Sequence, residues 1–297
     1  MKKVLVLGGT RFFGKRLVNS LIADGAHVTI ATRGRMPDDF DNEVNRLQID
    51  RNDLDSLRLV GKTDWDLVYD NLCYSEENAT HVVNVLEGKT AKYIVTSSRA
   101  VYTYSPLERT EDDFNPYTYE IRRGTREDVS YEEGKRQAEA VLFQTAKFPV
   151  IAVRYPIVLG KDDYTRRLHM YVEWVREQRE IIIGNPDARQ SFIDSAEAAA
   201  FLKWTGDAAK ANGPYNACSE GEWTLPQILE EISSVTGKPV RMIAGASDQE
   251  HSPFALPAPY LLNTQKAKSE GYVFSKLSNW LVPLIHDLAI EQKARNS

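Results

Sequence analysis

Residues 4–14 read Val4-Leu5-Val6-Leu7-Gly8-Gly9-Thr10-Arg11-Phe12-Phe13-Gly14. Four consecutive apolar residues have the pattern of a central parallel strand covered on both faces. Gly8, Gly9 and Gly14 then mark a turn. Beyond it Leu17, Val18, Leu21 and Ile22 recur at helical spacing, and Gly25 stands where a C-terminal cap belongs. His27 to Thr32 (HVTIAT) is β-branched and reads as a second strand. The result is a β-α-β unit of about 30 residues, the context in which a glycine-rich turn and a helix N-terminus can cradle a phosphate. Arg11 occupies the position of the middle glycine. Its guanidinium can pair with the phosphate, which makes the site a modified one and not a lost one; the alternative is a solvated turn residue.

The strand-helix alternation continues along the chain. Strands are expected at Arg46 to Ile49, Trp65 to Tyr69, Tyr93 to Thr96 and Val150 to Arg154, with helices at Asn78 to Leu86 and Ser130 to Thr145. This rhythm predicts an α/β fold built on a doubly wound parallel sheet. Leu225 to Thr236 and Leu277 to Ala289 read as amphipathic helices of a smaller C-terminal subdomain, and proline-rich Ser252 to Pro259 as a connecting loop. The expected division is a dinucleotide-binding domain over 1–155, to which 190–216 returns, and a substrate-binding subdomain over 156–189 and 217–297. Thr103 to Asp128 interrupts the alternation with Arg109, Arg122, Arg123 and Arg126. It reads as a surface loop, with a substrate lid as the sharper alternative.

Bulk properties narrow the function classes. The 297 residues are 42% apolar and 27% charged, enough for a full core, and the net charge of −5 argues against nucleic acid as a partner. The first apolar run ends after four residues, too short for a signal peptide, and no run approaches the roughly 18 residues of a membrane span. A cytoplasmic location is expected. Cys73 and Cys218 form no CxxC pattern and read as reduced thiols, and the isolated histidines His27, His81, His169, His251 and His286 suggest no metal site.

Three motifs in order carry the chemistry: GGTRFFG at Gly8 to Gly14, TSSRAVY at Thr96 to Tyr102, and YEEGK at Tyr131 to Lys135. With RYPIVLG at Arg154 to Gly160, SFID at Ser191 to Asp194 and GPYNACS at Gly213 to Ser219, the chain resembles the extended short-chain dehydrogenase/reductases, the NAD(P)-dependent epimerase/dehydratase family, over nearly its whole length. GGTRFFG is similar to a branch called atypical, which includes epimerase-like proteins and plant plastid RNA-associated proteins. A YxxxK spacing alone is weak evidence, since with 14 tyrosines Tyr272 to Lys276 supplies another. Tyr131 opens a helix downstream of a strand that ends in serines, whereas Tyr272 has no such strand before it. Tyr272 is therefore read as structural.

The resemblance implies a catalytic Ser98, Tyr131 and Lys135. Residues four apart share a helix face, so Lys135 can sit beside a cofactor ribose and near the Tyr131 hydroxyl, where positive charge favours the phenolate. Strand-end capping is the structural alternative for Ser98 and the preferred reading of Ser97. Family 4,6-dehydratases carry an acidic pair after the serine, and Arg99 and Ala100 here argue against that activity. Gly8, Gly9, Thr10, Arg11, Phe12, Phe13 and Gly14 would hold the cofactor, with Tyr131, Lys135, Tyr155 and Pro156 at its nicotinamide end. Thr32-Arg33-Gly34-Arg35 ends the second strand in arginine instead of an acid, which favours NADP over NAD through Arg33. Asp50, with Arg51, resembles the adenine-side position, although Asp50 is nearly as good a helix cap before Leu54. Tyr102, Arg166, Arg167 and Arg189 are candidates for the substrate, and each arginine is as readily a surface charge. The fourth strand runs into Asp70-Asn71-Leu72-Cys73-Tyr74, bulkier than the family pattern, which would tighten or block the nicotinamide site.

These readings give an NAD(P)-dependent oxidoreductase or epimerase acting on a sugar, which the family resemblance implies is nucleotide-linked. The alternative is a non-catalytic dinucleotide sensor or RNA-binding relative. The partner is a small molecule, with a homodimer by analogy.

Overall fold

Alternate residues of a strand face opposite sides of a sheet, and the Val4 to Leu7 run is apolar because both sides are covered. Val4 and Val6 pack with Leu17, Val18, Phe201 and Leu202, while Leu5 and Leu7 pack with Ala79, Val82, Val141 and Leu142. The computed structural model describes residues 1–245 and 252–295, so His251 lies outside the described residues. Its first part is β1 (Lys3–Leu7), α1 (Phe12–Ala23), β2 (His27–Thr32), β3 (Val44–Gln48), α2 (Leu54–Leu57), β4 (Leu67–Asp70), α3 (Glu76–Leu86), β5 (Tyr93–Ser98), α4 (Tyr131–Thr145) and β6 (Val150–Tyr155). There follow β7 (Ile157–Leu159), α5 (Arg167–Arg176), β8 (Glu180–Ile183), β9 (Arg189–Gln190), β10 (Phe192–Asp194), α6 (Ser195–Asp207) and β11 (Gly213–Asn216). The last elements are β12 (Trp223–Thr224), α7 (Leu225–Thr236), β13 (Arg241–Ala244), α8 (Gln265–Ser269) and α9 (Leu277–Arg295).

Seven strands form one parallel sheet in the order β11-β6-β5-β4-β1-β2-β3. The chain winds outward in both directions from β1, and the direction reverses between β1 and β4. Such a switch point leaves a crevice at the carboxyl ends of the strands, where open α/β sheets take their ligands. A separate core joins Leu168, Tyr171 and Val172 of α5 to Ile228 and Leu229 of α7 and to Leu281 and Ile285 of α9. No helix among the described residues is long and apolar enough to cross a membrane.

β4 begins two residues later than expected and runs on to Asp70, which is fully buried against Arg51 at 2.5 Å. β6 covers the expected Val150 to Arg154 and adds Tyr155; Arg154 within it is fully buried, and its guanidinium meets Glu139 of α4 at 2.6 Å. β5 extends past Thr96 to Ser98, and β3 begins two residues earlier than expected. Arg154 also donates to the carbonyls of Glu111 and Phe114, at 2.9 and 3.1 Å. Gln144 holds the carbonyls of Pro116 and Tyr119, both at 2.8 Å. The 103–128 segment is thereby pinned to the sheet edge as a wall. Ser252 to Pro259 is a loop as expected, but Phe254, Ala255 and Leu256 are buried in it.

Candidate active site

The carboxyl ends of β1, β2, β4, β5 and β6 surround a cleft of about 1120 Å³ that also takes in the turn before α5 and the Pro253 to Tyr260 region. At one end is the glycine turn. Gly8 and Gly9 have φ of +95° and +92°, which a side chain would strain. A Cβ at Gly9 would also lie 2.9 Å from Val18. The turn passes into the N-terminus of α1, with Arg11 in the N-cap position. Phe12 takes a left-handed φ of +53°, an uncommon conformation for a bulky residue, and its ring is buried in the core. The Arg11 side chain is exposed, and its guanidinium lies 5.5 Å from the centre of the Tyr164 ring.

Asn71 completes this end. Its Oδ1 accepts from Thr96 Oγ1 at 2.7 Å, while its Nδ2 is buried with no partner among the described residues. That donor is 3.2 Å from where a Cβ of Gly14 would be. Bare backbone, the start of a helix and an orphaned amide donor along one cleft fit an extended, phosphate-containing cofactor. Arg33 and Arg35 border the same end, exposed, and neither pairs with a carboxylate among the described residues. The nearby Asp38 and Asp39 are taken by Arg46 and Lys15. Asp50 lines the cleft and accepts from Asn52 N at 3.0 Å. The cap of α2 is Asp53.

Ser98, Tyr131 and Lys135 meet at the other end. Ser130 caps α4 by accepting from Glu133 N, which starts the helix at Tyr131. Ser98 Oγ accepts from Ala100 N at 3.1 Å and also hydrogen-bonds the Tyr131 hydroxyl. Burial of that hydroxyl raises its pKa, opposed by the Ser98 bond and the charges of Arg167 and Arg126, while Glu132 raises it further. Lys135 is buried and donates two hydrogen bonds of 2.8 Å, to Cys73 O and Thr96 O. An ammonium carries three donors, so one remains without an acceptor among the described residues. Burial brings its pKa down to about 8. Its Nζ sits 4.1 Å from the centre of the Tyr74 ring and 5.9 Å from that of Tyr131.

Several sequence-predicted residues are placed elsewhere by their partners. Arg51 borders the cleft, but its guanidinium turns inward to Asp70. Tyr102 also borders it, yet its buried hydroxyl donates to Asn216 Oδ1 and accepts from Arg154 Nη1, both at 2.7 Å, so no hydroxyl is offered to a substrate. Tyr155 gives its hydroxyl to Ala198 O at 2.6 Å and contributes only its ring to the wall, beside Pro156. Arg166 and Arg189 lie outside the cleft in ion pairs with Glu173 and Glu222, and Arg167 alone of the three borders it. Ser97 is no cap. It donates to the buried Glu139 at 2.5 Å, and Ser98 caps the 3-10 turn that follows β5. Tyr272 belongs to an aromatic cluster with Phe201, Trp204 and Phe274, away from the cleft. The bulk after β4 forms walls without filling the cleft. Leu72 packs behind Gly8, Cys73 is buried and Tyr74 stands beside Lys135.

Sequence reasoning took Asn71 and Tyr74 only as bulk after the fourth strand and missed Gly134. A Cβ on Gly134 would lie 2.3 Å from the backbone oxygen of Tyr74, so only glycine lets α4 approach close enough to seat Lys135. The single glycine inside YEEGK was the available signal.

A parallel sheet whose first β-α turn and fourth and fifth strands open on one such cleft defines a doubly wound dinucleotide-binding fold. The chain belongs to the NAD dependent epimerase/dehydratase family, whose model matches residues 4–218. It is 26% identical over 258 residues to chloroplast stem-loop binding protein of 41 kDa b from Arabidopsis thaliana, covering 80% of this chain and 64% of that relative. The chain thus spans about 64% of the length of this curated relative. The UDP-glucose 4-epimerase of Thermus thermophilus, solved with NAD, superposes with a TM-score of 0.73 at 16% identity over 97% of this chain and 99% of that one. The dTDP-glucose 4,6-dehydratase of Bacillus anthracis, also with NAD, gives a TM-score of 0.76 at 13% identity over 99% and 98%. At such identities the likeness concerns the fold alone.

Proposed function

We propose that this chain is an enzyme that moves a hydride between NADP and a nucleotide-linked sugar, as an epimerase or a reductase. The observation that carries this reading is the meeting of Ser98, Tyr131 and Lys135 in the same cleft as the glycine turn. A binder without chemistry has no need of all three. In this reading residues 1–155 and 190–216 hold the cofactor, and 156–189 and 217–297 hold the sugar.

The backbone of Gly8 to Gly14, the N-terminus of α1 and Arg11 bind the pyrophosphate, and the free donor of Lys135 binds the nicotinamide ribose. When bound, the cofactor supplies or accepts the hydride and, oxidised, adds positive charge near the phenol. Tyr131 rests protonated, since burial raises its pKa, and donates its proton to a substrate carbonyl oxygen or takes one from a hydroxyl. Ser98 accepts from Ala100 N, which turns its own proton toward the Tyr131 and substrate oxygens. Arg167 and Arg126 stabilise the phenolate when it forms.

The function is tested with NADPH deuterated at C4 and a panel of nucleotide-linked keto sugars, together with mass spectrometry of cofactor released from denatured protein. Deuterium is expected in the sugar, or a retained oxidised cofactor if the reaction is an epimerisation. Cofactor that binds but yields no hydride to any sugar, with none retained, overturns the enzyme reading. Preference for NADP is tested separately. Among the described residues Arg33 and Arg35 pair with no carboxylate, and Arg33→Asp is expected to weaken NADPH binding by about 1.5–3 kcal/mol while sparing NADH. Equal loss for both cofactors in a titration would remove the assignment.

A second reading, RNA binding, draws on the 26% identity to a protein named for stem-loop binding. A gel shift with a stem-loop RNA, set beside the cofactor titration, separates the two classes.

A further inference from the structure

Arg99 follows Ser98 directly, in the short turn that ends β5, and borders the cleft. It is only 5% exposed. Its Nη1 donates to the carbonyls of Ser191 and Tyr260 at 3.2 and 3.1 Å, and its guanidinium carbon lies 4.5 Å from the centre of the Tyr260 ring. All these partners are neutral. Among the described residues no carboxylate pairs with Arg99, and both of these hydrogen bonds leave from Nη1. The other two buried arginines of this region are each matched by a buried acid, Arg51 by Asp70 and Arg154 by Glu139.

The surroundings do not compensate for Arg99. Arg126, Arg136 and Arg167 also border the cleft, whose acids are Asp50, Glu132 and Asp163. Oδ1 of Asp163 is taken by Thr165, at 2.9 Å from its N and 2.6 Å from its Oγ1, and its buried Oδ2 faces Arg167 Nε at 3.8 Å instead of Arg99. Burial lowers the Arg99 pKa to about 10, and the charge of Arg167 pushes the same way. A guanidinium kept out of water without a counter-ion destabilises a fold, so its retention beside the reacting serine calls for an anion that is present only in the working complex. The planar fork of arginine fits an oxyanion through two parallel hydrogen bonds.

We infer that the substrate carries an oxyanion on the sugar itself, a carboxylate or a phosphate, and that Arg99 is the specificity-determining residue that receives it. This deepens the nucleotide-sugar reading above and rests on it. A neutral hexose at the same place would leave the buried charge unpaired, so the site discriminates against it.

The probes are UDP-glucuronate, UDP-glucose and inorganic phosphate, each titrated calorimetrically into the full chain saturated with NADP. UDP-glucuronate is expected to bind at least tenfold more tightly than UDP-glucose, and Arg99→Gln is expected to erase most of that ratio. Phosphate is expected to bind the wild type and at least tenfold more weakly the variant. If the two nucleotides bind equally while phosphate still depends on Arg99, the oxyanion is a phosphate. If neither nucleotide binds but phosphate depends on Arg99, the anion subsite stands and the nucleotide reading falls. Equal binding of both nucleotides together with phosphate binding indifferent to Arg99 overturns the inference. Should Arg99→Gln not fold, Arg99→Lys keeps the charge without the fork, and the wild-type ratio needs no variant.

Discussion

Tyr131→Phe is expected to fold and to bind cofactor as the wild type does, while turnover falls by about 10²–10⁴-fold, the usual contribution of a general acid-base group. The substitution removes one oxygen from a ring that faces the cleft and is 47% exposed, so little packing is lost. What disappears is the proton exchanged with the substrate and the hydrogen bond with Ser98. Tyr74 is the nearest aromatic neighbour, its ring centre 6.3 Å away, and its hydroxyl donates to Asn71 O at 3.3 Å. Tyr272→Phe is the matched control and should keep nearly full turnover. Steady-state rates with the deuterated cofactor, alongside thermal melts, decide the matter. A Tyr131→Phe protein that retains most of its activity would falsify the assignment of this residue to the chemistry.

Gly134→Ala is expected to be destabilising by about 1–3 kcal/mol, the usual cost of overpacking, and to reduce turnover by roughly 10²-fold. Inside a helix the same change ordinarily stabilises by up to about 1 kcal/mol, because alanine has the better propensity. Here the steric effect opposes it and wins. The added carbon would lie 2.3 Å from Tyr74 O, a backbone atom that cannot rotate away, so α4 or the segment after β4 must withdraw. Lys135 is the next residue and donates to Cys73 O on that same segment at 2.8 Å. The withdrawal that relieves the clash therefore pulls the ammonium out of its seat and shifts Tyr131 on the same helix. Denaturant titration and turnover together test this. A variant at least as stable as the wild type, with full activity, would show that the close approach is not needed.

Much of the fold was legible because it is written in contiguous residues. The apolar run of β1, the glycine turn, the periodicity of α1 and α4 and the YEEGK spacing each need only neighbours in the chain. The same local reading singled out Ser98, Tyr131, Lys135 and the glycine turn, all of which line one cleft of the structure. It ended β4 one residue short of the buried Asp70 and gave no sign that Arg154, inside its strand, would meet Glu139, since hydrophobic pattern carries no information about a counter-ion supplied by another segment.

The sequence by itself determined the doubly wound sheet and singled out Ser98, Tyr131 and Lys135 as candidates, because backbone conformation and helix spacing are local properties. Only the tertiary structure decided which polar side chains remain available. Arg166 and Arg189 are taken by Glu173 and Glu222, the Tyr102 hydroxyl by Asn216 and Arg154, and Arg51 by Asp70. Arg99, which drew notice in the sequence only for standing where 4,6-dehydratases carry an acidic residue, is left buried at the cleft without a counter-ion among the described residues. The reason is physical. A side chain's chemistry is fixed by its residue type, but whether its hydrogen bonds and charge are satisfied internally depends on groups that folding brings from distant parts of the chain.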